Sequence, residues 1–157
     1  MDRVLQLRVC LHVRSMINLP YQGEAYRNVF LLREMKIFDQ ACTLVAKAPY
    51  EVLGSVVRCH ELVRAASFIL DLTLEDGYYG MVEHSWLWLE PRQPLSPPPR
   101  ILDVYVPGRI PQVQLIDSTT SLPWEYRRGP PRTDINQPMV EELIRLMKST
   151  VSMDRCI

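Results

Sequence analysis

The sequence predicts an α+β domain in which helices pack on a small antiparallel sheet, and three stretches carry that prediction. Glu24 to Lys47 contains no Pro or Gly and repeats apolar residues at helical spacing. Met81 to Leu89 is a run of aromatic and branched side chains that suits a strand. Ile101 to Val106 and Gln112 to Asp117 are two further strand patterns, joined by Pro107-Gly108-Arg109-Ile110-Pro111. The φ-fixing prolines and φ-releasing glycine of that joint suit a turn between antiparallel neighbours.

Composition bounds the rest. With 157 residues and 47% apolar content the chain can bury a sizeable core, and no internal repeat or linker divides it, so residues 1–157 are expected to form one domain. Its 18 basic and 18 acidic side chains cancel, leaving no net field to draw in nucleic acid or an anionic membrane. Cys10, Cys42, Cys59 and Cys156 are neither dense nor closely spaced, which argues for free thiols in a reducing, cytoplasmic setting rather than a secreted disulfide framework. Residues 1–14 lack the unbroken apolar run of a signal peptide, and no window is long enough to span a bilayer.

Taken in order, Leu5 to Val13 alternates apolar and polar residues and predicts a half-buried strand. Cys10 and His12 share its polar face and, with no third ligand at close spacing, are read as ordinary surface positions rather than a metal pair. One long helix is expected over Glu24 to Lys47, with Cys42 inside it as a small buried hydrophobe. Gly54-Ser55 offers a break and an N-cap for a second helix, in which Val56, Cys59, Leu62, Val63, Ala66, Ile69 and Leu70 recur at three- and four-residue steps. Glu75-Asp76-Gly77 signals a turn before the strand at Met81 to Leu89. The prolines between Glu90 and Arg100 predict a stiff exposed loop, and Ser118 to Asn136, with Arg127, Arg128 and Arg132, predicts a long solvated surface loop. Asn136 and Pro138 suit the start of a last helix with Val140, Leu143, Ile144 and Met147 facing inward and Glu141 set to pair with Arg145.

Three residues in this frame form a chemical constellation. A thiol near a helix N-terminus, where unpaired N–H groups favour negative charge, has a lowered pKa, and Cys59 is so placed if Ser55 is the cap. Arg58 adds to the bias if it turns toward the sulfur. His84 would exchange a proton with that sulfur, and Asp103, with Asp117 as the second candidate, would fix the imidazole's tautomer. Strand parity offers a check: the antiparallel register that sets His84 opposite Asp103 also pairs Trp86 with Ile101 and Trp88 with Pro99. His60 projects about 100° round the helix from Cys59 and is read as pointing away from the sulfur.

Cys59 on a helix, then Gly80-Met81-Val82-Glu83-His84-Ser85-Trp86-Leu87-Trp88, then Ile101-Leu102-Asp103-Val104, resembles the transglutaminase-like branch of the papain-like cysteine fold. The stretch is also similar to arylamine N-acetyltransferases, and the resemblance covers about residues 50 to 118. It implies a papain-like core with Cys59 as nucleophile, His84 as acid and base, and Asp103 as the third member of a Cys-His-Asp triad. Two departures stand out: Glu83 occupies the place where glycine commonly precedes the family's histidine, and no evident side chain completes an oxyanion hole. Gln40 and Tyr50 are the upstream candidates, and the backbone N–H of Cys59 is the named donor.

The expectation is thus a thiol-dependent acyl-transfer enzyme working through a thioester. It would be a protease-like hydrolase of amide, isopeptide or ester bonds or an amine acyltransferase, acting on a peptide, protein or small acyl substrate. No metal or organic cofactor is implied. The competing expectation is a catalytically inactive protein-binding module of the same fold, presenting Trp86, Trp88, Tyr78, Tyr79 or the Arg127 to Arg132 loop.

Overall fold

The computed structural model describes residues 24–89, 100–105, 113–117 and 125–153, and within them the architecture is α+β. The helices are α1 (Glu24–Lys47), α2 (Cys59–Leu70) and α3 (Gln137–Met153). A small hairpin is made by β1 (Glu51–Val52) and β2 (Ser55–Val56). The main sheet holds β3 (Thr73–Tyr79), β4 (Val82–Leu89), β5 (Arg100–Asp103), β6 (Gln114–Asp117) and β7 (Tyr126–Arg128) in the order β6-β5-β4-β3-β7, antiparallel throughout. The strand expected over Leu5 to Val13, with Cys10 and His12, and the Pro-rich stretch 90–99 lie outside the described residues. Among the described residues no helix is long and apolar enough to cross a membrane.

Alternation along the central strand divides the core. Leu87 and Leu89, with Leu102 and Val104, are buried with residues of all three helices. Trp86 and Trp88 point to the opposite face, into a second cluster with Ile101 and Tyr126. A fully buried leucine contributes roughly 1.5–3 kcal/mol. With Leu44, Leu62, Leu87, Leu102 and Leu143 all at 0% exposure, the helix-facing layer is the main hydrophobic contribution. Helix α1 spans the whole Pro- and Gly-free run and buries Phe38, Ala41, Leu44 and Val45 on one face. Its buried Glu34 holds Arg100, at the start of β5, in an ion pair of 2.7 Å.

Four sequence-based expectations are corrected. Gly54-Ser55 is not a helix cap: Leu53 and Gly54 both have positive φ and form the turn of the β1–β2 hairpin, and α2 begins only at Cys59. Glu75-Asp76-Gly77 is not a turn but the middle of β3, and the chain reverses at Gly80-Met81. Gly77 is required there by close approach, since a Cβ would lie 2.0 Å from the Arg127 carbonyl oxygen and 2.8 Å from Trp86 Cη2. The expected loop over Ser118 to Asn136 contains edge strand β7, and its Arg132 is paired with Glu83 and Asp134 rather than solvated. In α3, Arg145 pairs with Glu142 rather than Glu141.

Candidate active site

Cys59 is the first residue of α2, and the preceding hairpin sets it there. The Val57 N–H bonds the Tyr50 carbonyl at 2.9 Å, after which Arg58 is extended at the N-cap position and makes no side-chain capping bond. The sulfur therefore stands at a helix N-terminus without a capping side chain, an arrangement that favours negative charge. Arg58 does not turn toward it. Its guanidinium binds the Glu61 carboxylate and the Asp134 carbonyl, and Glu61 also accepts the Asn136 N–H at 3.2 Å, which ties the start of α2 to the start of α3. Burial pushes the Glu61 pKa up, but Arg58 and Asn136 outweigh it and hold the carboxyl below its ordinary range.

His84 lies on the central strand and Asp103 ends the neighbouring β5, both fully buried. His84 Nε2 is 2.8 Å from Asp103 Oδ2, which also accepts the Tyr126 hydroxyl at 2.7 Å, while Oδ1 accepts the Tyr105 N–H at 3.0 Å. The parity expected for the pair is present, but the register is not the one expected. Leu87 faces Leu102 and Trp88 faces Ile101, so His84 and Asp103 are diagonal neighbours and Trp86, not His84, falls opposite Asp103. Asp117 sits on β6, one strand further out, opposite Arg100. Around the His84 ring stand Tyr79, Trp86 and Tyr126 at centroid distances of 6.2, 6.3 and 6.2 Å.

With Nε2 on Asp103, Nδ1 is the nitrogen left for Cys59. Burial pushes the Cys59 thiol up, but hydrogen bonds with His60 and His84, and their charges, outweigh it and bring the pKa down to about 7. Burial pushes His84 down, but the hydrogen bonds to Asp103 and Cys59, and their charges, raise it to about 9. Between those values sulfur and ring are both charged, as thiolate and imidazolium.

His60 was expected to point away from the sulfur and does not. Its Nδ1 is 3.6 Å from Cys59 Sγ and 2.7 Å from Ser85 Oγ. The Cα directions of successive helical residues diverge, but the imidazole is long enough to lie back over the first turn when Ser85 holds it. Ser85 in turn donates to Asp76 Oδ1 at 2.6 Å, and Arg64 binds Asp76 at 3.2 and 2.7 Å. Tyr105 is also near enough for the charge on Cys59, after burial, to raise its pKa.

The structure thus brings Cys59, His84 and Asp103 to one place and adds His60, Ser85, Asp76, Tyr105 and Tyr126. Asp76 was hidden by the turn-like composition around it, and Tyr126 by the polar stretch that contains it. Among the described residues no group of three or more His, Cys, Asp or Glu is arranged to hold a metal ion. The arrangement can generate a thiolate, stabilise it and move one proton to and from it at His84 Nδ1.

Fold and site define an α+β domain with one thiol set between two imidazoles, each anchored to its own buried carboxylate system. Comparison with known proteins finds no matching family, no matching curated protein and no matching solved structure.

Proposed function

We propose that the chain is a thiol-dependent acyl-transfer enzyme with a papain-like, transglutaminase-like core and a Cys59-His84-Asp103 triad. The hydrogen bond that fixes His84 on Asp103, with Cys59 and His84 near enough to shift each other's pKa in opposite directions, is the observation that carries this reading. The Cys59 thiolate attacks an amide, isopeptide or ester carbonyl, and the new oxyanion is met by the Cys59 backbone N–H at the start of α2. His84 Nδ1 gives its proton to the leaving amine or alcohol as the C–N or C–O bond breaks, leaving a thioester. Water or an amine then attacks the thioester and loses its proton to His84, and the thiolate departs. Asp103 keeps the ring oriented and stabilises its protonated form. The burial of His84 among aromatic rings supports approach of the acyl group from the Cys59 side, where the thiol is only partly buried.

The test compares the wild-type chain with Cys59→Ala on a panel of ester, thioester and amide probes, and follows iodoacetamide labelling of Cys59 at neutral pH. Probe turnover that Cys59→Ala abolishes, with labelling faster than at an ordinary thiol, supports the reading. Labelling no faster than at an ordinary thiol, with no probe turned over, turns the reading to the inactive protein-binding module.

A further inference from the structure

The site holds more proton-donating machinery than the triad uses. Asp76, Ser85 and His60 make a second buried polar series, all at 7% exposure or less, that reaches the same sulfur from α2 and the helix-facing side of the sheet. His84 and Ser85 are successive residues of β4, so their side chains leave opposite faces of the sheet. The sulfur is therefore approached by one imidazole standing on the strand itself and by another held against its other face.

Counting protons fixes what the second imidazole can do. Asp76 receives Ser85 Oγ, both ends of the Arg64 guanidinium and the Arg132 N–H. Burial raises its pKa, but these donors outweigh the burial and keep it an ionised acceptor. A serine hydroxyl has a single proton, and here Asp76 takes it. Toward His60 Nδ1, at 2.7 Å, Ser85 must therefore accept, and Nδ1 must carry a hydrogen. Cys59 Sγ lies 3.6 Å from the same nitrogen, so this one hydrogen is shared between Ser85 Oγ as the nearer acceptor and the sulfur as the longer one. A nitrogen whose proton is fixed in this way cannot serve as the base for the thiol.

We infer that the Asp76-Ser85-His60 series is a fixed donor that stabilises the Cys59 thiolate, distinct from His84, which moves the proton. His60 touches the sulfur; Ser85 and Asp76 are positioning residues that set its tautomer and hold the ring. The groups bearing on the sulfur are then His60 from α2, His84 from β4 and Tyr105 beyond β5. Behind His60 stand Ser85, Asp76 and Arg64, whose guanidinium also binds the His60 carbonyl at 3.1 Å. The thiolate keeps one donor even above about pH 9, where His84 has lost its proton to solvent. This deepens the proposed function and rests on it for its purpose, though not for its test.

The test is the pH profile of Cys59 alkylation by iodoacetamide in the full chain, read peptide by peptide by mass spectrometry. His60→Leu is expected to move the labelling midpoint up by about one unit and to slow labelling at neutral pH about fivefold. His60→Asn, whose amide places an N–H where Nδ1–H stands but brings no charge, is expected to hold the midpoint clearly below that of His60→Leu. Ser85→Ala, which frees the tautomer, is expected to fall between them. Superimposable profiles for His60→Leu and wild type overturn the inference, as does an Asn variant that behaves like Leu. A measurement free of folding effects is the imidazole ¹⁵N spectrum of the wild-type chain: a hydrogen on His60 Nδ1 supports the inference, and a bare Nδ1 overturns it. Absence of probe turnover would sink the acyl-transfer reading without moving any of these results.

Discussion

His84 and Asp103 meet across a diagonal of the sheet rather than across a rung, and their side chains still join at 2.8 Å. The geometry leaves Asp103 Oδ2 shared between His84 and Tyr126, and Oδ1 on the Tyr105 N–H. Every donor aimed at this carboxylate therefore needs an oxygen. In Asp103→Asn the amide can supply only one, and its NH₂ must face either Tyr105 or the pair at Oδ2. The variant is expected to lose on the order of 10³–10⁴-fold in acyl-transfer rate through the wrong His84 tautomer. It should also lose about 1–3 kcal/mol of stability through unpaired buried groups. Steady-state rates on the best probe and denaturant unfolding measure the two effects separately.

The pH dependence follows from two opposed shifts. Folding lowers the thiol pKa from the ordinary 9.0 to about 7, so the thiolate accumulates as pH rises through about 7. It raises the imidazole from 6.5 to about 9, so the imidazolium is lost only as pH rises through about 9. Acyl transfer, which needs both, is expected to follow a bell with limbs near those values. Alkylation, which needs only the thiolate, is expected to rise near 7 and stay high above 9. A single alkylation midpoint near the ordinary thiol value would remove the ion pair from the site.

What the residues alone made legible was what local pattern controls. Glu24 to Lys47 has nothing to break a helix, and alternation reduces the question of whether His84 and Asp103 share a face to the parity of one register, which the observed pairing satisfies. The register was beyond such reading, because it is set by distant partners. Pairing Leu87 with Leu102 and Trp88 with Ile101 buries apolar opposite apolar on both faces, whereas the expected alternative sets Trp88 against Pro99, which has no N–H to give the ladder. Ser55 failed as a cap because a Gly-Ser pair signals a hairpin as well as a helix start. The orientation of His60 depends on Ser85, 25 residues away, and no helical projection contains it.

Tyr126 carries one hydroxyl whose loss is separable from the loss of the ring. Burial, followed by the charge of Asp103 and the hydrogen bond to it, raises the Tyr126 pKa, so the phenol stays a donor throughout the working range. Tyr126→Phe keeps the ring against Tyr79 and Trp86 but withdraws that donor. The expected cost is about 1–3 kcal/mol in denaturant unfolding. Asp103, less stabilised by its other donor, then attracts the His84 proton more strongly. The alkaline limb of the activity profile should therefore move up, not down, and a downward shift would contradict the shared-oxygen arrangement.

Gly77 links the edge strand to the site. It lies opposite His84 on one side and Arg128 on the other. In Gly77→Ala the new methyl would meet the Arg127 carbonyl oxygen at 2.0 Å, and backbone cannot yield as a flexible side-chain tip would. Strand β7 must move away, at an expected cost of about 3 kcal/mol or more. Amide exchange should then quicken at Tyr126 to Arg128, and Tyr126 should lose its hold on Asp103. Gly54→Ala is the matched control. Its φ of 78° makes it strained as well, but nothing lies within 4 Å of the added carbon, so the cost should stay at about 1–2 kcal/mol and leave β7 protected. Equal exchange in the two variants would mean that close packing at Gly77 is not what holds β7 on the sheet.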